Sequence, residues 1–100
     1  MRNLTHTEKA YWNLLCEHVG CIACFLDGRF NNYVSIHHIN GRSKTGAHTQ
    51  VLPLCAEHHQ TGGEEAPAIH PWKARFEAKY GKQADLLAMC NSILSRKGLM

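Results

Sequence analysis

Two pairs of potential metal ligands occur in different parts of this chain. Cys21 and Cys24 form a Cys-x-x-Cys pair, and Cys55 and His58 repeat the same spacing with a histidine in the last position. Structural zinc prefers four tetrahedral nitrogen or sulfur ligands, and this short spacing lets two ligands from one turn reach the same ion. The pattern predicts a structural Zn²⁺ site made by Cys21, Cys24, Cys55 and His58.

Other cysteines and histidines fit this site less well. Cys16 and Cys90 occur at core spacing on predicted helices, which is typical of small buried hydrophobic residues. Cys16 or His18 stays open as a replacement for one of the four ligands. The alternative for the whole set is two unrelated thiol pairs and a surface histidine. A redox role is disfavoured because no βαβ pattern surrounds the Cys-x-x-Cys pair.

The remaining histidines favour a second ion site. His59 directly follows His58, and successive helical residues point about 100° apart. If His58 faces the zinc ligands, His59 faces elsewhere, and the nearest partners are His37 and His38 at the end of a predicted strand. Neighbouring strand residues point to opposite faces, so both can serve one site only if the strand kinks or ends there. The turn-forming pair Asn40-Gly41 follows closely.

The composition limits the class of protein. With 44% hydrophobic and 19% charged residues, the 100 residues indicate one globular domain over 1–100. The net charge of +3 and a pI near 8.7 are compatible with a polyanionic partner. We find no secretory leader pattern and no apolar run of the ~18 residues that a membrane span needs. We therefore expect a cytoplasmic protein with reduced thiols and no membrane partner.

Cap and turn signals predict the elements that position these residues. Thr5 or Thr7 caps a first helix over about 6–18, with Ala10, Leu14, Trp12 and Leu15 on its apolar face, and Gly20 ends it. A turn holds Cys21 and Cys24. Strands cover residues 33–36 and 51–54, and Pro53 keeps the second out of a sheet centre.

Helices dominate the second half of the predicted fold. One starts near Cys55 or Ala56 and breaks at 61–63, and a link covers 64–68. Pro71 begins a helix to about Tyr80, with Gly81 as its stop. The last helix, about 82–97, carries an inner face of Leu86, Leu87, Met89, Cys90, Ile93 and Leu94. The sum is an α+β fold, a small metal-centred ββα core over about 20–62 with flanking helices.

Three stretches resemble the HNH, or ββα-metal, endonucleases: His37-His38-Ile39, residues 50–55 and His58-His59. The resemblance covers about residues 20–60. It implies that His38 is the general base and that His37 and His59 bind a catalytic divalent cation. The four predicted zinc ligands are similar to the accessory zinc knuckle of the zinc-bearing members.

The chain departs from that family at two positions. Gln50 stands where the family usually has Asn, whose amide holds the strand loop and orients the base; Gln50 or His48 is the candidate for this role. The third helix histidine of some members would fall near Gly63. His70 is the candidate for the missing metal ligand, and the alternative is a helix-capping or surface histidine.

More narrowly, the whole chain resembles the phage Ref-type recombination-enhancement nucleases. The supporting stretches are residues 37–42 (HHINGR), 53–59 (PLCAEHH) and 68–81 (AIHPWKARFEAKYG). In that family a histidine before the helix and a Phe-Glu…Tyr-Gly ending recur, which favours His70 as a site residue. The resemblance implies a DNA endonuclease that acts with a RecA filament in a bacterial or phage-infected cell.

The expected chemistry is hydrolysis of a DNA phosphodiester bond. Neutral His38 would accept a proton from water, and one Mg²⁺, Mn²⁺ or Zn²⁺ ion would act as a Lewis acid on the phosphate. Arg42, Lys44 and His48 lie beside the predicted site and are expected to contact DNA. Lys73, Arg75 and Lys79 are interpreted first as solvated charges, with DNA contact as the alternative.

The competing hypothesis is a zinc-stabilised module that binds nucleic acid or protein without catalysis. It accounts for the four zinc ligands. It gives no reason for His37, His38 and His59 to converge.

Overall fold

The computed structural model describes residues 4–63 and 66–100, so the first two residues of the predicted link at 64–68 lie outside the described part. Turns of π-helix at Leu15–Val19 and Glu57–Thr61 and of 3₁₀-helix at Ala47–Thr49 connect the regular elements. The predicted α+β class is confirmed. The described helices and strands are α1 (His6–Leu14), α2 (Ile22–Leu26), β1 (Val34–His38), β2 (Val51–Cys55), α3 (Ile69–Tyr80) and α4 (Gln83–Arg96).

Helix α1 begins with the predicted capping box, and Thr5 rather than Thr7 is the cap. The backbone N–H of Glu8 donates to Thr5 Oγ1 at 3.1 Å, and the N–H of Thr5 donates to Glu8 Oε1 at 2.9 Å. The π-helical turn extends the helical path to Val19, and Gly20 ends it at φ 69°. Ala10, predicted on the apolar face, is exposed, because the buried face runs through Glu8, Leu15 and Val19.

The predicted turn at the first cysteine pair is the short helix α2. Cys21 is its N-cap residue, and its sulfur accepts from the backbone N–H of Cys24 at 3.4 Å. A cysteine thus takes the capping role that Ser or Asp usually has. Both cysteine side chains are consequently held at the buried start of α2.

Strands β1 and β2 form a two-stranded antiparallel sheet. The register pairs Val34 with Cys55 and His38 with Val51. β1 extends two residues further than predicted and includes His37 and His38, because β2 offers pairing partners as far as Val51. β2 is buried along its whole length.

The helical segments after the sheet differ in part from the prediction. The helix expected from Cys55 or Ala56 is mainly the single π-helical turn Glu57–Thr61. α3 contains non-helical backbone at His70 (φ −114°, ψ 113°) and Trp72 (φ −98°, ψ 46°), so regular helix follows Trp72 instead of starting at Pro71. This irregular start directs residue 70 away from the path of a straight helix.

Helix α4 matches the predicted segment within one residue at each end. Leu86, Cys90, Ile93 and Leu94 are buried, and Leu87 and Met89 are partly buried against the same core. The interpretation of Cys90 as a buried hydrophobic residue is confirmed. The core is completed by residues of the π-helical turn after α1 and by residues of α2, β2 and α3.

Within the described ranges, no helix combines the length and the apolar character needed to cross a membrane.

Candidate metal centres and active site

Cys21, Cys24, Cys55 and His58 form a buried cluster whose ligand atoms all lie within 4.8 Å of one another. The Sγ atoms of Cys24 and Cys55 are 3.8 Å apart. His58 Nδ1 lies 3.5 Å from the sulfurs of Cys21 and Cys24 and 3.2 Å from that of Cys55. Tetrahedral zinc, with bonds of about 2.3 Å to sulfur and about 2.0 Å to nitrogen, places its ligands about 3.5–3.8 Å apart. The spacing therefore fits a zinc site.

Three elements contribute to this cluster. Cys21 and Cys24 come from the start of α2, Cys55 ends β2, and His58 lies in the following π-helical turn. Burial raises the pKa of the Cys21 thiol to about 12. A bound cation would offset that penalty by stabilising the thiolate. Neither Cys16 nor His18 belongs to a metal-ligand cluster in the part of the chain that the structure describes.

Polar partners orient His58. Its Nε2 lies 2.9 Å from the hydroxyl of Tyr80, and that hydroxyl donates to Asp27 Oδ2 at 2.8 Å. Because the Tyr80 proton goes to Asp27, His58 donates its own Nε2 proton to Tyr80. Nδ1 is then the unprotonated nitrogen that faces the sulfurs, as a metal ligand must be.

Two donors also face the sulfur of Cys24. The side chains of Arg29 and Asn31 donate to Cys24 Sγ at 3.6 and 3.9 Å. Donors of this kind stabilise negative charge on a thiolate.

A second cluster contains His37, His59 and His70, with one ligand nitrogen from each lying within 4.8 Å of the others. The ring centroids of His37 and His59 are 5.4 Å apart, and that of His70 lies 5.0 and 5.4 Å from them. Three elements contribute again: β1, the π-helical turn and the irregular start of α3. The structure thus brings together the three histidines proposed from the family resemblance as ligands of the catalytic metal.

Hydrogen bonds leave one nitrogen of His37 and one of His59 for an ion. His37 Nε2 donates to Gln83 Oε1 at 2.8 Å, which leaves Nδ1. His59 Nδ1 lies 2.8 Å from Ser35 Oγ, which leaves Nε2. Neither Ser35 nor Gln83 was among the site residues predicted from the sequence. Ser35 could have been found from the sequence, because it lies two residues before His37 and residues two apart on a strand share a face. Gln83 is distant in sequence from His37, so no local pattern indicated it.

Burial favours the neutral form of three of the imidazoles at the candidate active site. It is the main cause that lowers the pKa of His37, His38 and His59. Repulsion from Arg42 lowers the pKa of His38 further, and repulsion from His70 does the same for His59. Neutral imidazole is the form that binds a metal or accepts a proton.

His38 lies outside the three-histidine cluster. Its Nε2 is 3.0 Å from Nδ1 of His48. The Trp12 ring packs edge-on against both imidazoles, with centroids 5.4 and 5.6 Å away, and Trp12 Nε1 donates to the His48 carbonyl at 2.7 Å. His48 is 4% exposed. In the described chain His38 therefore contacts the side chains of His48 and Trp12, and an orienting role for His48 stays a prediction.

Gln50 contacts the loop after β1 instead. Its Oε1 accepts from Asn40 Nδ2 at 2.5 Å, and its carbonyl accepts from the N–H of Ile39 at 3.0 Å. Gln50 thus contacts the loop after β1, and the role suggested for it, holding this loop and orienting His38, stays a prediction.

A family model described as recombination enhancement, RecA-dependent nuclease matches residues 4–95. The chain belongs to this family. The match includes both clusters and every described helix and strand apart from the last residue of α4.

Four histidines of this member of the RecA-dependent nuclease family line one open cleft of about 630 Å³. Its lining includes His37, His38, His59 and His70 together with the cations Arg42 and Lys73. Arg42 also borders a neighbouring pocket of about 380 Å³ that contains Lys44 and His48. A phosphate in the cleft would meet both positive charge and the metal-ligand cluster.

Proposed function

We propose that this protein is a metal-dependent DNA endonuclease of the HNH (ββα-metal) type, formed as one domain over residues 1–100. It hydrolyses phosphodiester bonds, and the family match supports action with a RecA filament in recombination. Its site of action is the cytoplasm of a bacterial or phage-infected cell. The observation that carries the proposal is the cluster of His37, His59 and His70 in one cleft with His38 and two cations.

Two metal ions have different roles in this proposal. Cys21, Cys24, Cys55 and His58 hold a structural Zn²⁺. His37, His59 and His70 hold one divalent cation, Mg²⁺, Mn²⁺ or Zn²⁺, and the nitrogens left by Ser35 and Gln83 support this assignment. When bound, this cation supplies Lewis-acid stabilisation of the phosphate and of the leaving oxygen.

His38 is the general base. It takes a proton from a water molecule, whose oxygen forms a bond to phosphorus while the bond from phosphorus to the leaving oxygen breaks. The leaving oxygen takes a proton from solvent, and His38 later returns its proton to solvent. In this proposal Nδ1 of His38 accepts the proton, which requires that His38 donate its Nε2 proton to Nδ1 of His48, 3.0 Å away. Arg42 and Lys73 offset the charge of the phosphate.

The DNA-contact role remains with Arg42 and Lys44, which are exposed beside the cleft. The burial of His48 supports a positioning role towards His38 rather than a phosphate contact. Contacts made mainly to phosphates fix the path of DNA and carry little sequence information.

Nicking of supercoiled plasmid DNA tests this function. We expect cleavage that depends on added Mg²⁺ or Mn²⁺, and a loss of about 10²–10⁴-fold in rate for His38→Ala, because removal of a general base costs that much. Zinc content and melting temperature should stay at the wild-type values. His6→Ala is the matched control, because His6 is an exposed histidine of α1 outside both clusters.

The non-catalytic binding module is the alternative outcome. If no divalent cation supports cleavage of free DNA or of DNA in a RecA filament, while zinc and DNA remain bound, the nuclease assignment is wrong.

A further inference from the structure

The exposed side of α3 next to the cleft combines an aromatic ring with positive charge. Trp72 is 43% exposed, although it is among the largest side chains in the protein. The guanidinium of Arg75 lies 5.0 Å from the centroid of the indole. A cation at this distance is attracted by the face of the ring, and the stacking holds the indole in a defined orientation.

This surface is continuous with the candidate active site. Trp72 is two residues from His70, and the intervening Pro71 lines the cleft. Lys73, the next residue, also lines the cleft. Trp72 thus lies in sequence between two residues that line the cleft.

Positive charge continues along the helix beyond Trp72. Arg75 and Lys79 border a shallow groove of about 440 Å³. Glu77 lies between them in sequence, and its carboxylate accepts from Gln83 Nε2 at 3.4 Å, on the side of the cleft histidines. Trp72 and Arg75 thus lie against each other on α3, with Lys73 lining the cleft and Lys79 bordering the groove, and we define these four residues as the α3 platform.

We propose that the α3 platform binds single-stranded DNA, with an unpaired base stacked on Trp72 and the adjoining phosphates on Lys73 and Arg75. The inference rests on the proposed nuclease function, because it places this strand next to the bond to be cleaved. Stacking on an aromatic side chain requires a base whose face is not covered by its neighbours in a duplex. The flanking cations fit the polyanionic backbone. The substrate would then carry unpaired nucleotides beside the scissile bond.

The test compares the binding of a labelled mixed-sequence single strand with that of the matched duplex. His38→Ala is the background and no divalent cation is added, so cleavage does not interfere. We expect Trp72→Ala to raise the Kd for the single strand by about tenfold or more, as for loss of one stacked base. The Kd for the duplex should change by less than about twofold.

Two further variants separate stacking from general damage. Trp72→Tyr keeps an aromatic face and should restore most of the single-strand affinity. Tyr33→Ala removes the most exposed large aromatic residue in the described chain, 88% exposed and outside the platform, and should leave both Kd values unchanged.

The proposed role of the α3 platform is wrong if Trp72→Ala raises the Kd for single strand and duplex equally, or if it changes neither Kd. Unchanged binding of the single strand combined with weaker binding to a RecA filament would show that Trp72 contacts protein, and this too would overturn it. None of these binding results contradicts the proposed nuclease function, because that function is tested separately by plasmid cleavage with the protein that retains His38. Conversely, if the protein does not cleave DNA but Trp72→Ala selectively weakens single-strand binding, the nuclease proposal is wrong and the proposed binding surface is supported.

Discussion

Four of the histidines at the two candidate sites have one ring nitrogen hydrogen-bonded to a neighbouring side chain. A histidine ring has two nitrogens, and the partner of one decides whether the other carries a proton. Metal binding and proton transfer both need an unprotonated nitrogen, so these partners matter as much as the histidines. The pairs are His58 with Tyr80, His37 with Gln83, His59 with Ser35 and His38 with His48.

His48 allows a test at this scale. His48→Ala removes the partner of His38 Nε2, so we expect the single-turnover rate to fall about 10–100-fold, the usual cost of losing a residue that orients a functional histidine. The affinity for DNA should change little, because His48 is buried. His48→Asn retains a hydrogen-bonding side chain and should recover part of the rate.

Lys44→Ala is the matched comparison for His48→Ala, because Lys44 lines the same small pocket but is exposed. It should weaken DNA binding and reduce its salt dependence while keeping the rate at saturating DNA. A loss of affinity without a loss of rate in His48→Ala would contradict the positioning role.

At the scale of elements, the joint between the first helix and α2 sets the position of Cys21. Gly20 adopts φ 69°, and a Cβ added there would lie 2.6 Å from the backbone oxygen of Asn31. That oxygen also accepts from the N–H of Cys21 at 2.8 Å. Positive φ and close approach together require glycine.

Gly20→Ala should therefore lower the free energy of unfolding by about 1–3 kcal/mol, because strain and overlap act together. It should also speed the release of zinc to a chromophoric chelator, since Cys21 is displaced. Urea unfolding measures the first effect and absorbance the second.

Gly28→Ala is a matched control with a positive φ of 85° and no atom within 4 Å of the added Cβ. Gly28→Ala should introduce backbone strain without steric overlap and leave the rate of zinc release unchanged. If both variants behave alike, the contact with Asn31 is not what fixes Cys21.

Local signals explain which elements could be predicted from sequence. Thr5 and Glu8 predicted the start of α1, Gly20 its end, and Pro53 a strand that is not central to a sheet. The extension of β1 to His38 depends on pairing with Val51, a tertiary fact with no local mark.

The irregular start of α3 also escaped prediction. Proline fits the first turn of a helix in general, but here the backbone on both sides of Pro71 is non-helical. Likewise, the spacing of four ligands predicted the first cluster, whereas Tyr80 and Asp27 meet across 53 residues of chain. Short-range rules cannot find such partners.

For the whole molecule, the four-ligand cluster is a link between distant segments. It joins α2 to the end of β2, and Tyr80 connects it to the end of α3. All four ligand side chains of the cluster are buried, and His58 is 0% exposed. Zinc bound here would contribute directly to folding, since an unfolded chain lacks the site.

Cys24→Ala should accordingly lower zinc content and the free energy of unfolding together, the latter by several kcal/mol, on the order expected for damage to a structural zinc site. Elemental analysis and thermal unfolding measure the two effects. Cys16→Ala removes a half-buried cysteine outside the cluster and should change neither strongly. A Cys24→Ala protein that melts like the wild type would show that this cluster does not stabilise the fold.

His58 and His59 are consecutive, yet each belongs to a different cluster. The peptide bond between them is thus shared by the two candidate metal sites. Adding or deleting one residue at this point would misalign both imidazoles in the same step. Anyone grafting the three histidines onto another scaffold would have to transplant the cysteines as well.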